Sequence, residues 1–235
     1  QPYTISETFA HFSSGNTPGI ENNGSGLLTL STNIGLGFDL TGAELTLGGS
    51  GNGLVDGDIS PGNAMPTLKK SGTGKWTWNG TDNNISNLEI QEGTLEIIGT
   101  LGNFSTSTIA NYTKDILING VLLLNESKDQ DLAGLISGTG VITKDGGTTL
   151  QLVGNNSFSG DINVLDGELR VLGSIGSGNH TGNITNDAIL NFNSTENQVI
   201  SGQLISNGIL QKNNTNTLTL ASNNPFTGSI EVSNG

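Results

Sequence analysis

Three segments of this chain, 70–93, 144–167 and 212–235, are copies of one 24-residue unit and align without a gap. The copies start 74 and then 68 residues apart. An internal repeat of this size constrains the architecture more than any single motif, because each unit must bury its apolar face against its neighbours. Each copy alternates apolar and polar residues in two places. The first is Trp76-Thr77-Trp78, Leu150-Gln151-Leu152 and Leu218-Thr219-Leu220. The second is Leu88-Glu89-Ile90, Ile162-Asn163-Val164 and Ile230-Glu231-Val232. Period-two alternation turns one face of a strand inward and the other to water. Between the two strands Asp82-Asn83, Asn156-Ser157 and Asn224-Pro225 supply turn conformations. The closing glycines, Gly93, Gly167 and Gly235, predict a bend at positive φ.

The duplication reaches beyond these segments. Residues 119–167 align with 187–235 at a constant offset of 68, with 16 of 49 identical. The first copy is more distant, with 7 of 34 matches between 70–103 and 144–177. A unit of 68–74 residues is too long for one coil of a solenoid. Divided by three it gives roughly 23 residues per coil, which suits a parallel β-helix of short stacked strands. About ten coils at about 4.8 Å would make a rod on the order of 50 Å long. No segment carries a 3.6-residue period over a helical length. The apolar run Ile116 to Leu124 is interrupted by Asn119-Gly120 and reads as strand, bend, strand.

Composition agrees. Hydrophobic residues are only 32% of 235, while Gly contributes 36 residues and Asn 30. Disorder is the competing reading for so polar a chain, but the periodic strand elements oppose it. A β-helix tolerates this composition because each coil needs only a few inward Leu, Ile or Val. The net charge is −13, with 8 basic residues of which Arg170 is the sole Arg. That balance argues against nucleic acid and against an anionic membrane surface as partners. There is no cysteine, hence no disulfide scaffold or thiol chemistry. No run is long and apolar enough to predict membrane insertion by this segment. The chain does not open on a signal-peptide pattern, and the last copy stops at its closing glycine. Both features predict an excised piece of a longer protein.

One stretch runs Gly138-Thr139-Gly140-Val141-Ile142-Thr143-Lys144, then Leu150-Gln151-Leu152-Val153-Gly154-Asn155-Asn156-Ser157-Phe158-Ser159-Gly160, then Gly167-Glu168-Leu169-Arg170-Val171. It resembles the passenger-associated β-strand repeat of bacterial autotransporters. The 212–235 copy follows the pattern through Leu218, Leu220, Asn223, Asn224, Phe226, Gly228, Ile230 and Val232. The 70–98 copy departs, with Trp76 and Trp78 for the leucines. The resemblance covers 70–235; residues 1–69 carry looser versions such as Leu28-Thr29-Leu30 and Leu45-Thr46-Leu47. It implies a right-handed parallel β-helix, secreted and displayed on the bacterial surface. Passengers of this kind include adhesins, self-associating factors, proteases and toxins.

Residues able to carry chemistry are sparse. The histidines are His11 and His180. No GxSxG elbow occurs, and a histidine zinc site would need more ligands. The i, i+2 pairs Asp56/Asp58 and Asp129/Asp131 could each face one side of a strand, as acids do in carbohydrate-active β-helices or weak cation sites. Asp129 and Asp131 fall opposite Asn197 and Val199 in the duplication, so the pair is not part of the repeat. With a single Arg, a lyase site is not expected, and both pairs read as solvated acids. Gly48-Gly49-Ser50-Gly51-Asn52-Gly53-Leu54 resembles a calcium-binding nonapeptide but lacks its Asp and a tandem copy, so a bend is expected. Trp76 and Trp78 align with core leucines; core packing is expected over a sugar-stacking platform. Thr77 aligns with Gln151 and Thr219, so no regular Thr array of the ice-binding kind is expected. Asn-x-Ser/Thr triplets, including those at Asn79, Asn103 and Asn183, are open to glycosylation but follow from composition.

These readings predict N-terminal coils or a cap over 1–69 and a repeat-bearing β-helix over 70–235, in one continuous domain. The expected function is a non-enzymatic adhesive or self-associating stalk, without cofactor or metal. Its partner would be a host-cell or neighbouring-cell surface protein or glycan, or a second copy. The competing expectations are a carbohydrate-active enzyme and an inert spacer.

Overall fold

A computed structural model describes residues 3–5, 19–31, 34–36, 44–61, 67–81, 83, 85–102 and 109–234. His11, Asp82, Asn103 and Gly235 lie outside them. Among the described residues there are 28 short strands and one 3-10 turn, Gly176–Gly178. The paired strands all run parallel, and the chain is a β-solenoid. Parallel crossovers take a right-handed sense almost without exception.

The chain visits three faces in rotation. The first is a ten-stranded sheet from Tyr3–Ile5 to Leu204–Ser206. The second comprises the pair Ile34–Leu36 and Ile59–Pro61 and then seven strands from Ala110–Tyr112 to Ser229–Val232. The third comprises six strands from Gly19–Glu21 to Ile136–Gly138 and then three from Asn179–His180 to Leu218–Leu220. On the first face Leu28, Gly53, Trp76, Leu95, Leu122, Ile142, Ile162, Ile184 and Leu204 form one inward column. The steps between them are 25, 23, 19, 27, 20, 20, 22 and 20 residues, which are the coil lengths.

Alternation works as the sequence predicts. Leu150, Leu152, Ile162, Val164, Leu88 and Ile90 are fully buried, while Gln151, Asn163 and Glu89 between them are only half-buried. The run at 116–124 resolves into the strands Ile116–Ile118 and Val121–Leu124. Gly93 and Gly167 take φ of 66° and 68°, as the closing bend requires. In the last coil Ile230 and Val232 are 55% and 61% exposed, whereas their counterparts Ile162 and Val164 are buried.

A second glycine requirement is steric. Gly120, Gly140, Gly160, Gly182 and Gly202 stack at the corner leading into the first face. A Cβ on Gly160 would lie 1.6 Å from the carbonyl oxygen of Gly140, and one on Gly202 would lie 1.9 Å from that of Gly182. Only a residue without a side chain lets consecutive corners nest this closely.

Coil length and repeat length do not match. Lys70 ends a strand on the third face, Lys144 one on the first and Lys212 one on the second. Ten successive faces separate each lysine from the next, so one sequence repeat is three and a third turns. Each copy is therefore rotated by one face relative to the copy before it. Thr77, Gln151 and Thr219 consequently stand on three different faces. The true outward column of Thr77 runs Thr29, Leu54, Thr77, Glu96, Leu123, Thr143, Asn163, Thr185, Ile205. No regular Thr ladder exists there, although the sequence alignment was the wrong comparison.

Candidate functional site

The two aspartate pairs are structural acceptors. Asp56 and Asp58 sit between the strands Gly53–Val55 and Ile59–Pro61, so they do not share a strand face. Asp56 Oδ1 accepts from Asn79 Nδ2 at 2.8 Å, and Asp58 Oδ1 from the Thr81 amide at 2.7 Å. Asp129 Oδ1 accepts from the Thr149 amide at 2.9 Å, and Asp131 Oδ1 from Gln151 Nε2 at 2.6 Å. All four reach one coil forward. Asn197, the repeat counterpart of Asp129, accepts from the Thr217 amide at 2.9 Å in the same way. The Asp129 position thus belongs to the repeat after all, because the corner needs an oxygen acceptor and not a charge. No group of three or more His, Cys, Asp or Glu poised for a metal occurs among the described residues.

Trp76 and Trp78 are core residues, both with zero exposure. Trp76 Nε1 donates to the Gly48 carbonyl at 2.9 Å, and its ring fills the space over Gly53, where a Cβ would lie 2.4 Å away. The segment 48–54 is a bend packed on the preceding coil: Gly51 N donates to Asn22 O at 2.7 Å, and Asn22 Nδ2 to Asn52 O at 2.6 Å. Asn79 and Asn183 of the glycosylation triplets are exposed, and Asn183 Oδ1 accepts from the Gln203 amide at 3.0 Å.

The turn asparagines do more than bend the chain. Asn156 Oδ1 accepts from the Ile136 amide at 2.9 Å, and Asn224 Oδ1 from the Leu204 amide at 2.7 Å. Asn83 Oδ1 accepts from the Ile59 amide at 2.9 Å. A side-chain amide thereby satisfies a strand N–H of the preceding coil where no full strand follows.

Buried polar groups supply what the sequence reading missed. Each copy begins with a lysine that points inward at a corner. Lys70 Nζ donates to the carbonyls of Ser71, Gly72 and Glu92 at 2.7, 2.6 and 3.1 Å. Lys144 Nζ donates to Gly146 O at 2.6 Å, and Lys212 Nζ to Asn214 O at 2.5 Å. The ammonium ties the turn's carbonyls together. Burial pulls Lys70 down to about 8, partly offset by Glu92. Lys144 lies 3.8 Å from Glu126, and both side chains are wholly buried. Neither carboxylate oxygen of Glu126 has a hydrogen-bond partner, and burial pushes it up to about 7. Gln130 and Gln198, equivalent at the 68-residue offset, accept from the amides of Leu101 at 2.9 Å and Ile175 at 3.2 Å. Identity at these lysines and glutamines in the repeat was the available signal.

The surface carries open clefts of about 490, 370 and 350 Å³. The largest is lined by Thr148, Leu165, Asp166, Glu168, Asp187 and Ile189 among others, and the nearby Arg170 is paired with Glu168 at 2.8 Å.

These features define a parallel β-solenoid stalk, built by stacking and braced by internal polar groups. The passenger-associated-transport-repeat family matches residues 68–97, 142–171 and 205–235. The chain thus carries three passenger-associated transport repeats, consistent with an autotransporter passenger domain. No curated protein and no solved structure shows significant similarity to it.

Proposed function

We propose that this chain is part of a surface-displayed passenger stalk that mediates cell adhesion or self-association without catalysis. The supporting observation is where the duplication has kept its residues. Of the 16 positions identical between 119–167 and 187–235, 11 are buried in the earlier copy and only Asn155 is exposed. The repeated residues serve stacking, and recognition falls to the outward side chains that differ between copies. Rotation by one face per repeat adds to this, because equivalent segments point to three sides of the rod. A partner therefore meets a unique surface and not a repeated one. It would be a host-cell or neighbouring-cell protein or glycan, or a second rod.

Purified protein coated on beads should adhere to cells above a bovine serum albumin control. Sedimentation across a concentration series should reveal any pairing of rods. Failure of both would leave the spacer reading. Cleavage in a panel of acidic and neutral polysaccharides, abolished by Asp129→Ala or Asp131→Ala, would establish the enzymatic reading instead.

A further inference from the structure

One inward column of the third face contains a single ionisable residue. His180 stands in register with Ile200 and Leu220, and its ring centroid lies 5.2 Å from that of Phe158 in the preceding coil. It has zero exposure, and neither ring nitrogen has a hydrogen-bond partner. Such a site suits a leucine better than an imidazole.

The cover over this ring is unusual. Gly176, Ser177 and Gly178 have φ of 56°, 53° and 91°, three left-handed residues in succession. For Ser177 this conformation carries a steric cost. A Cβ built on Gly176 would lie 3.3 Å from His180 Cβ and 3.5 Å from Nδ1, so the turn rests directly on the imidazole. Beside it opens the cleft of about 350 Å³, lined by Asn155, Ser174, Ser177, Gly178, Glu196 and Asn197. Two residues of the cover, Ser177 and Gly178, line this cleft.

We propose that this corner is an acid-operated latch: protonation of His180 drives the ring from beneath Gly176 and opens the 173–180 corner into the cleft, while the coils on either side stay folded. An imidazolium has two N–H donors and a full charge, and the closed, fully buried site offers it the Phe158 backbone carbonyl as its one neighbouring acceptor, too little to offset the burial. The charged groups facing the corner are Asp161 on the preceding coil and Glu196 on the following one. Asp161 favours the proton but is occupied by the Asn183 amide at 2.8 Å, and Glu196 is exposed on the cleft rim. Phe158, Ile200 and the turn itself bring no charge. Burial lowers the His180 pKa from 6.5 to about 4. The closed state thus takes its proton only below the pH at which an open, solvated imidazole does. The stabilisation of the closed corner by the neutral imidazole is full above pH 6.5 and is lost progressively as pH falls toward 4.

Hydrogen exchange read by mass spectrometry tests this on the intact chain. Corrected for intrinsic rates, opening of 173–182 should rise roughly 70-fold from pH 7.5 to pH 4.5. Peptides over 184–192 should change less than threefold, on the order of background drift. His180→Leu should hold the corner closed at both pH values. Unchanged protection at 173–182, or the same loss in His180→Leu, would overturn the proposal. An imidazole titration followed by NMR, assigned with His11→Gln, gives an independent reading in the unaltered corner. A midpoint between 4 and 6.5, moving with the hydrogen-exchange opening of 173–182, supports the latch, and one at 6.5 sinks it.

Discussion

The stacked corner glycines support a sharp experiment, Gly160→Ala compared with Gly147→Ala. Both substitutions add one methyl group to a glycine that lies outside the positive-φ set. At Gly160 the new Cβ would fall 1.6 Å from the Gly140 oxygen and 2.6 Å from its carbonyl carbon. Ordinary contact needs roughly 3.4 Å, so the two corners must part by somewhat under 2 Å. The neighbouring inter-coil bonds, Ser157 N to Ile136 O at 2.9 Å and Ser159 N to Gly138 O at 3.0 Å, would stretch beyond use. Overpacking costs about 1–3 kcal/mol, and two weakened backbone bonds add about 1 kcal/mol each. The expected loss is about 3–5 kcal/mol, a large share of a domain's stability. At Gly147 the nearest atom to the added Cβ is Asp166 Oδ2 at 3.9 Å, and the position is exposed. There the substitution should be neutral or stabilise by up to about 1 kcal/mol, through the unfolded chain. Urea unfolding followed by far-UV circular dichroism gives both numbers by linear extrapolation. Equal midpoints for Gly160→Ala and the parent, or equal damage from both substitutions, would refute the steric account.

Other expectations follow from the buried polar groups and the tryptophans. Glu126 is raised to about 7 from 4.5, so the folded state holds more protons between these values and stability falls as pH rises through that window; Glu126→Gln should remove the fall, read as urea midpoints at pH 5 and pH 8. Lys144→Met strands Glu126 in the core and should cost about 3–5 kcal/mol at pH 8, and visibly less at pH 5, where Glu126 is neutral. Gln198→Leu leaves the Ile175 amide without its acceptor and should cost about 1–3 kcal/mol by chemical denaturation. Both tryptophans should emit as buried indoles and resist iodide quenching; ready quenching of the native protein would revive the platform reading.

Much of this architecture was legible from residue order alone. Alternation named the inward leucines and isoleucines, and the closing glycines named their bends, because both are local requirements of a strand and a turn. The site-level picture was less legible. A buried lysine, a buried glutamate beside it and a histidine over a phenylalanine look in sequence like any surface residue. Their character comes from what the next coil places above them. Asp129 shows the converse, a pair that looked chemical and proved to be a hydrogen-bond acceptor shared with Asn197.

By itself, the sequence determined that this chain is a repeat-built parallel solenoid, since the repeat dictates which side chains must stack. Only the tertiary structure decided how the copies are arranged around the rod. Coil length depends on how many residues each corner absorbs, from 19 to 27 per turn on the first face. That quantity is set by packing of one turn on another and is not written in the repeat. The result is three and a third turns per repeat, so related segments face in different directions and the outward surface does not repeat.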